Sequence, residues 1–314
     1  MRLSLAIRRF GAVTVIALIL LPSLLGCQRH RIVHQVRSPY QLVTVVDTPH
    51  GFRRLIFDGR LDGSDPIQSE MNLSKPHDLS LSYTRAMMAA LSLADHRERI
   101  LLIGLGGASM QKFLHDLLPV TVLETIEIDP EVVRIARKFF GLEPADNQII
   151  HVDDGRAFIE NSNKRYDIIF LDAYGPDSIP YSLATQEFLE TVRERLAEGG
   201  VVCANLLTEN PHFWDMVKTY AEVFPELRLI KPPRSKNTIL FAPLDRPGLT
   251  AEVWAREAAA FEKEYPTDLN LPSLIRSHTE DRMRIPDRAK VLRDKTTAPA
   301  AGPLLKIPLI ISFF

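Results

Sequence analysis

The sequence predicts an α/β fold: a parallel-type sheet covered by helices, preceded by a small β-rich domain. Three observations predict it. From Ile100 onward, short apolar runs of strand length alternate with amphipathic stretches. A glycine-rich turn, Gly104-Leu-Gly-Gly107, stands between the first of those strands and its helix. Acidic residues then recur at or just past strand ends, at Glu127, Asp154 and Asp172. Such alternation implies a sheet with helices on both faces. A ligand is expected beyond the carboxyl ends of the strands, where the strand order reverses.

The elements follow in chain order. Residues 1–26 read as a signal peptide rather than as fold. Arg2, Arg8 and Arg9 form a basic start, and residues 10–25 form an uncharged, mostly apolar run. That run is short for a membrane span, which needs roughly 20 residues, but suits a signal core. It ends in Leu24-Leu-Gly-Cys27, similar to a bacterial lipobox, so Cys27 is the expected lipidation site and mature N-terminus. The expected location is the bacterial cell membrane, lipid-anchored, with an uncleaved signal anchor as the alternative. Residues 27–37 read as a basic linker. His30 and His34 have helical metal spacing but no further ligand nearby, and no metal is expected.

Residues 38–78 read as a small antiparallel β domain, with strands at 40–46 and 53–57 joined by the turn residues Thr48-Pro-His-Gly51. Residues 79–245 read as the larger, ligand-binding α/β domain. It opens with a helix at 80–94. Strands are expected at 100–103, 122–128, 148–152, 167–171, 199–205 and 237–242. Helices are expected at 108–118, 155–162, 184–197 and 211–223. Another helix starts at Asp129-Pro-Glu131, where Asp caps, Pro suits the first turn and Glu meets the positive helix end; Gly141 closes it. Residues 246–314 read as a C-terminal helix at 250–263 and a tail, with a linker at 296–303 and a short apolar end at 307–314.

Composition excludes several classes. With 46% hydrophobic and 25% charged residues, the 314-residue chain matches an ordinary globular protein and not a disordered or multi-span membrane one. Lys and Arg total 38 against 39 Asp and Glu, which leaves no basic footprint for nucleic acid. Two cysteines exclude a disulfide framework, and Cys203, in an apolar run, reads as a core residue.

The chemistry-bearing residues lie at the strand ends. Gly104 and Gly106 let backbone approach a ligand closely. Glu127, 23 residues after Gly104, can accept both hydroxyls of a ribose. Position 109 is Ser, so the third glycine of a dinucleotide fingerprint is missing, and no Gly-Lys-Ser/Thr phosphate loop exists. Asp154, with Gly155, reads either as an adenine acceptor or as a helix cap. Asp172 reads either as a carboxylate that steers or deprotonates an amine nucleophile, or as a turn residue. The 172–183 loop after it carries Tyr174, Pro176, Pro180 and Tyr181, a stiff cover for a small ligand.

These residues carry a resemblance. Ser38-Pro-Tyr-Gln41, Phe57-Asp-Gly59, Gln68-Ser69, the 104–107 turn, Glu127-Ile-Asp-Pro-Glu131, Asp154-Gly155, the 166–172 strand, Thr185-Gln-Glu-Phe188 and Glu198-Gly-Gly200 stand in a characteristic order. Over residues 36–245 the chain resembles the spermidine synthase (polyamine aminopropyltransferase) family, within the Rossmann-like class I S-adenosylmethionine-dependent methyltransferase fold. The resemblance implies that Gln41, Glu127 and Asp154 hold the adenosyl donor, decarboxylated S-adenosylmethionine or its parent. It makes Asp172 the acid that handles the attacking amine; Gln68, Tyr83, Arg85 and Tyr174 are the further expected substrate contacts. It implies a small-molecule amine acceptor, no metal, and a homo-oligomer. Where the family carries acids, this chain has Gly107, Gly175 and Arg85. That departure predicts weaker use of a diamine, and a donor carboxylate held near Arg85; the alternative is that Arg85 points out of the pocket and pairs with a surface acid. The alternatives are a methyltransferase acting on another acceptor and a non-catalytic nucleoside- or polyamine-binding lipoprotein.

Overall fold

A computed structural model describes residues 30–59, 67–175, 179–279 and 283–294. The N-terminal part is a four-stranded antiparallel sheet, β1 (Arg31–Arg37), β2 (Leu42–Asp47), β3 (Phe52–Phe57) and β4 (Ile67–Asn72), in that spatial order. β1 corrects the expected 27–37 linker. Its charged residues hid a strand whose Ile32, Val33 and Val36 still favour extended backbone. It runs antiparallel to β2 from Arg31 opposite Asp47 to Arg37 opposite Leu42. Charge on an edge strand also discourages pairing with other chains. β4 was not expected either, because Gln68 and Glu70 alternate with Ser69 and Met71 and leave no apolar run.

The second sheet has seven strands: β5 (Arg99–Ile103), β6 (Val122–Glu127), β7 (Gln148–Val152), β8 (Tyr166–Leu171), β9 (Leu196–Leu207), β10 (Arg228–Ile230) and β11 (Asn237–Pro243). Their order is β10-β11-β9-β8-β5-β6-β7. β9, β8, β5, β6 and β7 are parallel, and β11 runs antiparallel to its neighbours β9 and β10. The chain leaves β5 outward through β6 and β7, then returns to β8 on the other side of β5. The crevice for a ligand therefore opens between β5 and β8.

The helices are α1 (Ser82–Met87), α2 (Ser109–Leu117), α3 (Pro130–Phe139), α4 (Gly155–Asn161), α5 (Gln186–Glu194), α6 (Phe213–Val223), α7 (Ala251–Glu264) and α8 (Leu271–His278). The helix expected over 80–94 is α1 followed by a 3-10 turn, Met88–Ser92, all five residues of which are buried. Asp129 caps α3 by accepting the Glu131 N–H, as its sequence position predicts.

Alternate strand residues feed two cores, as a pleat requires. Ile100, Leu102, Ile168, Phe170, Cys203 and Phe241 meet the 88–92 turn and α7 on one face. Leu101, Ile103, Ile169, Leu171, Val202 and Ala204 meet α5 and α6 on the other. Cys203 is a core residue, fully buried with its thiol against the Met87 carbonyl. A third core joins the N-terminal sheet to α3 through Val43, Val45, Leu55, Val132 and Ala136. Two cations fasten that junction. Lys112 Nζ donates to the Phe140 and Pro76 carbonyls, each at 2.6 Å, and Arg53 Nη1 donates to the Phe139 carbonyl at 2.8 Å. Both meet the negative end of α3, where positive charge is favoured. Burial lowers the Lys112 ammonium to about 8.

The C-terminal part holds more than the one helix and tail expected. α8 packs on α7, and residues 283–294 cross α6 and reach the start of α5. Among the described residues, no helix is long and apolar enough to cross a membrane. The signal and lipidation expectation at residues 1–27 and the apolar tail lie outside the described residues.

Candidate active site

The carboxyl ends of β5, β6, β7 and β8, together with β4 and the Tyr40-Gln41 corner, enclose a cavity of about 300 Å³. Its walls include Gln41, Gln68, Tyr83, Gly104, Gly106, Glu127, Asp154, Gly155, Asp172 and Tyr174. Ten of the eleven residues expected at a small-molecule site thus converge on one space.

Arg85 is the exception. It points away from the cavity: Nη2 donates to the Asp268 carbonyl at 2.6 Å, and Nη1 lies 3.5 Å from the Asp268 carboxylate. α1 turns one face to the cavity, with Tyr83, and Arg85, two residues on, falls on another. The donor carboxylate expected near Arg85 therefore has no such partner. The described wall residues include three carboxylates and no Lys or Arg.

The glycine turn explains how the walls close. Gly104 has φ +108°, and a Cβ there would stand 2.4 Å from the Asp172 carbonyl oxygen. Only glycine lets the β5 and β8 exits approach this closely. The space at Gly107 is taken by Ser69 of β4 and by Phe140 at the end of α3: the Gly107 N–H donates to Ser69 Oγ at 2.8 Å, and a Cβ would lie 2.9 Å from Phe140 and from Ser69 Cβ. The absence of an acid at 107 is therefore a packing requirement of this chain.

Glu127 ends β6. Its Oε2 accepts the Leu105 N–H at 3.1 Å and its Oε1 accepts the Asp129 N–H at 3.0 Å. Burial raises its carboxyl above the usual range, and these backbone donors oppose the rise. Each oxygen keeps acceptor capacity for a ligand hydroxyl. Asp154 is the helix cap its position allows, and it also faces the cavity. Its Oδ1 caps α4 by accepting the Ala157 N–H at 2.9 Å.

Asp172 follows β8, two strand spacings from Glu127, about 10 Å across the sheet. Its Oδ1 accepts Asn205 Nδ2 at 2.8 Å, and Tyr83 Oη stands 3.4 Å from Oδ2. Loss of solvation pushes its carboxyl up to about 7, against the lowering effect of both donors. Tyr174 Oη donates to the Asn205 carbonyl at 2.8 Å. Asn205 in turn accepts Asn237 Nδ2 from β11 at 2.8 Å. Asn205 thus holds Asp172 and Tyr174 together, and it was not singled out from the sequence. The signal was there: one amide inside the apolar run Val201-Val-Cys-Ala-Asn-Leu-Leu207.

The expected cover spans 172–183. Its flanks line the cavity at Ala173, Gly175, Pro180, Ser182 and Leu183; residues 176–178 lie outside the described residues. Among the described residues, no group of three or more His, Cys, Asp or Glu is placed to hold a metal.

Comparison with known proteins agrees with this geometry. Residues 81–230 match the spermine/spermidine synthase domain. A polyamine aminopropyltransferase of Vibrio vulnificus is 33% identical over 217 residues, 68% of this chain and 72% of that protein. The structure of a probable spermidine synthase from Corynebacterium glutamicum superposes with a TM-score of 0.66 at 20% identity, covering 86% of this chain and 99% of that one. Human methyltransferase-like protein 13, in complex with SAH, superposes with a TM-score of 0.55 at 27% identity, covering 60% of this chain and 93% of that one. The fold is the Rossmann-like methyltransferase sheet with a small N-terminal β sheet, and the chain belongs to the spermine/spermidine synthase family.

Proposed function

We propose that this transferase binds decarboxylated S-adenosylmethionine and passes its aminopropyl group to a small amine. The observation that carries the reading is the cavity's charge: Glu127, Asp154 and Asp172 line it, with no Lys or Arg among the described wall residues. A sulfonium donor that has lost its carboxylate, and an amine acceptor, both suit such a wall. Glu127 takes the ribose hydroxyls, Asp154 the adenine amino group, and Gln41 the adenosyl edge. Gly104, Gly106 and Gly155 allow close approach. Gln68, Tyr83 and Tyr174 face the acceptor.

Asp172 performs the proton step. An ammonium arriving beside it gives up a proton to the carboxylate, leaving the amine lone pair free. That pair forms the C–N bond at the methylene next to sulfur. The C–S bond breaks with its electrons on sulfur, giving a neutral thioether nucleoside. A base near 7 is well matched to a reaction at neutral pH. The protein's further work is alignment and exclusion of water.

The test is turnover of both donors with a panel of mono-, di- and triamines. The expected products are methylthioadenosine and an amine longer by one aminopropyl group. Methyl transfer from S-adenosylmethionine, with S-adenosylhomocysteine as product, would replace this reading with the methyltransferase one. Binding of the donor without turnover of any acceptor would support a binding protein.

We propose further that Cys27 carries a lipid and anchors the chain to a bacterial membrane. The order of basic residues, apolar run and Cys27 supports this. Mass spectrometry of the membrane fraction should find a diacylated Cys27 as the first residue; an intact Met1 in the soluble fraction would refute it.

A further inference from the structure

Residues 283–294 form a strap that connects the far side of the second sheet to the cavity. Met283 and Ile285 pack on the α5–α6 core, and Leu292 is 8% exposed. The strap's backbone is pinned over its last five residues. The Lys290 N–H donates to Asp215 at 2.8 Å, and the Leu292 N–H donates to Thr219 Oγ1 at 2.9 Å. The Leu292 carbonyl accepts the Gln186 N–H, an otherwise unpaired donor at the start of α5, at 2.8 Å. The Asp294 N–H donates to Glu187 at 2.9 Å.

At its end the strap meets the cavity wall. Tyr181 Oη donates to the Arg293 carbonyl at 2.9 Å. Arg156 gathers three segments on one guanidinium. It grips both Asp294 oxygens, at 2.7 and 2.5 Å. Its Nη1 also donates to the Ser182 carbonyl at 3.1 Å and to Thr185 Oγ1 at 3.2 Å. Arg156 directly follows Gly155 and Asp154, which line the cavity, as do Pro180, Ser182 and Leu183. A two-pronged guanidinium–carboxylate pair fixes direction as well as distance.

We propose that Arg156 and Asp294 are positioning residues for the donor: the strap holds the 180–183 wall against the Asp154-Gly155 floor, so that the two close on the nucleoside half. Neither residue touches the reacting atoms. The device acts on binding and leaves the Asp172 side alone. This rests on the reading that a nucleoside lies beside Asp154.

The experiment measures methylthioadenosine affinity, donor KM, kcat, melting temperature and hydrogen exchange on the full chain. Asp294→Ala should weaken methylthioadenosine binding about 5- to 10-fold and raise the donor KM equally, with kcat within about twofold. The Leu183 and Ala184 amides, which donate to the Pro180 and Tyr181 carbonyls, should exchange faster. Asp294→Glu should recover part of the affinity, and Arg156→Lys, which loses the fork, should not. Tyr181→Phe, a milder change, should weaken binding about twofold and keeps the test open if Asp294→Ala fails to fold. A lower melting temperature with unchanged affinity would overturn the proposal and make the strap purely structural. Wild type that binds no methylthioadenosine would instead overturn the nucleoside reading itself.

Discussion

Glu127 and Asp172 each stand at the exit of a parallel strand, about 10 Å apart across the sheet, yet they are held in different ways. Glu127 is gripped by backbone: the Leu105 and Asp129 N–H groups, both within 22 residues of it. Asp172 is gripped by side chains from distant segments, Asn205 33 residues later and Tyr83 89 residues earlier. Backbone donors come with the βα turn itself and suit a carboxylate that must stay a fixed acceptor. Side-chain donors can be tuned one at a time and suit a carboxylate that must gain and lose a proton. The difference teaches that two acids at equivalent strand exits can be held by local backbone or by distant side chains, and the proposed roles divide along that line.

The comparison breaks most visibly at Asp172. Asp172→Asn should lower kcat by about 10²- to 10⁴-fold, the usual range for a lost general base, while methylthioadenosine affinity stays within about twofold. Rapid-mix turnover and calorimetry separate the two quantities; a large loss of affinity would move Asp172 out of its proposed role. Glu127→Ala should do the reverse. A lost hydrogen bond to a charged group costs about 1.5–3 kcal/mol, so donor affinity should fall at least ~10-fold with a much smaller change in kcat.

The pH dependence sharpens the same contrast. If Asp172 is the base, as proposed, kcat/KM should rise with pH and level off above about 7, where burial has pushed its carboxyl. Asn205→Leu removes a donor that favours the ionised form. The rising limb should then move to higher pH, and unchanged position would show that Asn205 does not tune the base. Stability runs the other way. Between the unfolded value near 3.8 and the folded value near 7, the folded state binds more protons than the unfolded one. Asp172 therefore makes folding less favourable as pH climbs through that window, and urea titrations of Asp172→Asn should lose this slope. The smallest effect is expected at Arg85, which pairs with Asp268 outside the cavity. Arg85→Glu should change donor affinity and diamine turnover by less than about twofold, in line with ordinary surface substitutions.

The two modes of support also decide what could be read from the sequence. The strands at 100–103, 148–152 and 167–171 were legible because apolar runs between turn residues have one sensible reading. Glu127 and the cap at Asp154 were legible because their partners are local. β1 was not, because the arginines at 31 and 37 masked its β-branched residues. β4 was not, because its buried face is Ser69 and Met71 rather than an apolar stripe. Asn205 and the strap were not, because their meaning lies in contacts across 33 and more than 100 residues. Arg85 has two readings in the sequence, into the cavity or out to a surface acid, because linear spacing does not say which face of a short helix looks inward; its pairing with Asp268 settles on the second.

The bond between Ser69 and Gly107 makes the cavity a joint product of both sheets. Their hydrogen bond joins residues 38 apart, and Gln41, Phe57 and Gln68 face the same cavity from the N-terminal sheet. That sheet is complete in the chain at Asn72, before the 104–107 turn is added. The apolar residues by which it packs, Val43, Val45 and Leu55, find their partners only when α3 follows. The acid at 172 and the amide that holds it arrive later still. The cavity's walls are therefore drawn from segments made at widely separate times, and it cannot close until Asn205, 164 residues after Gln41, is in place.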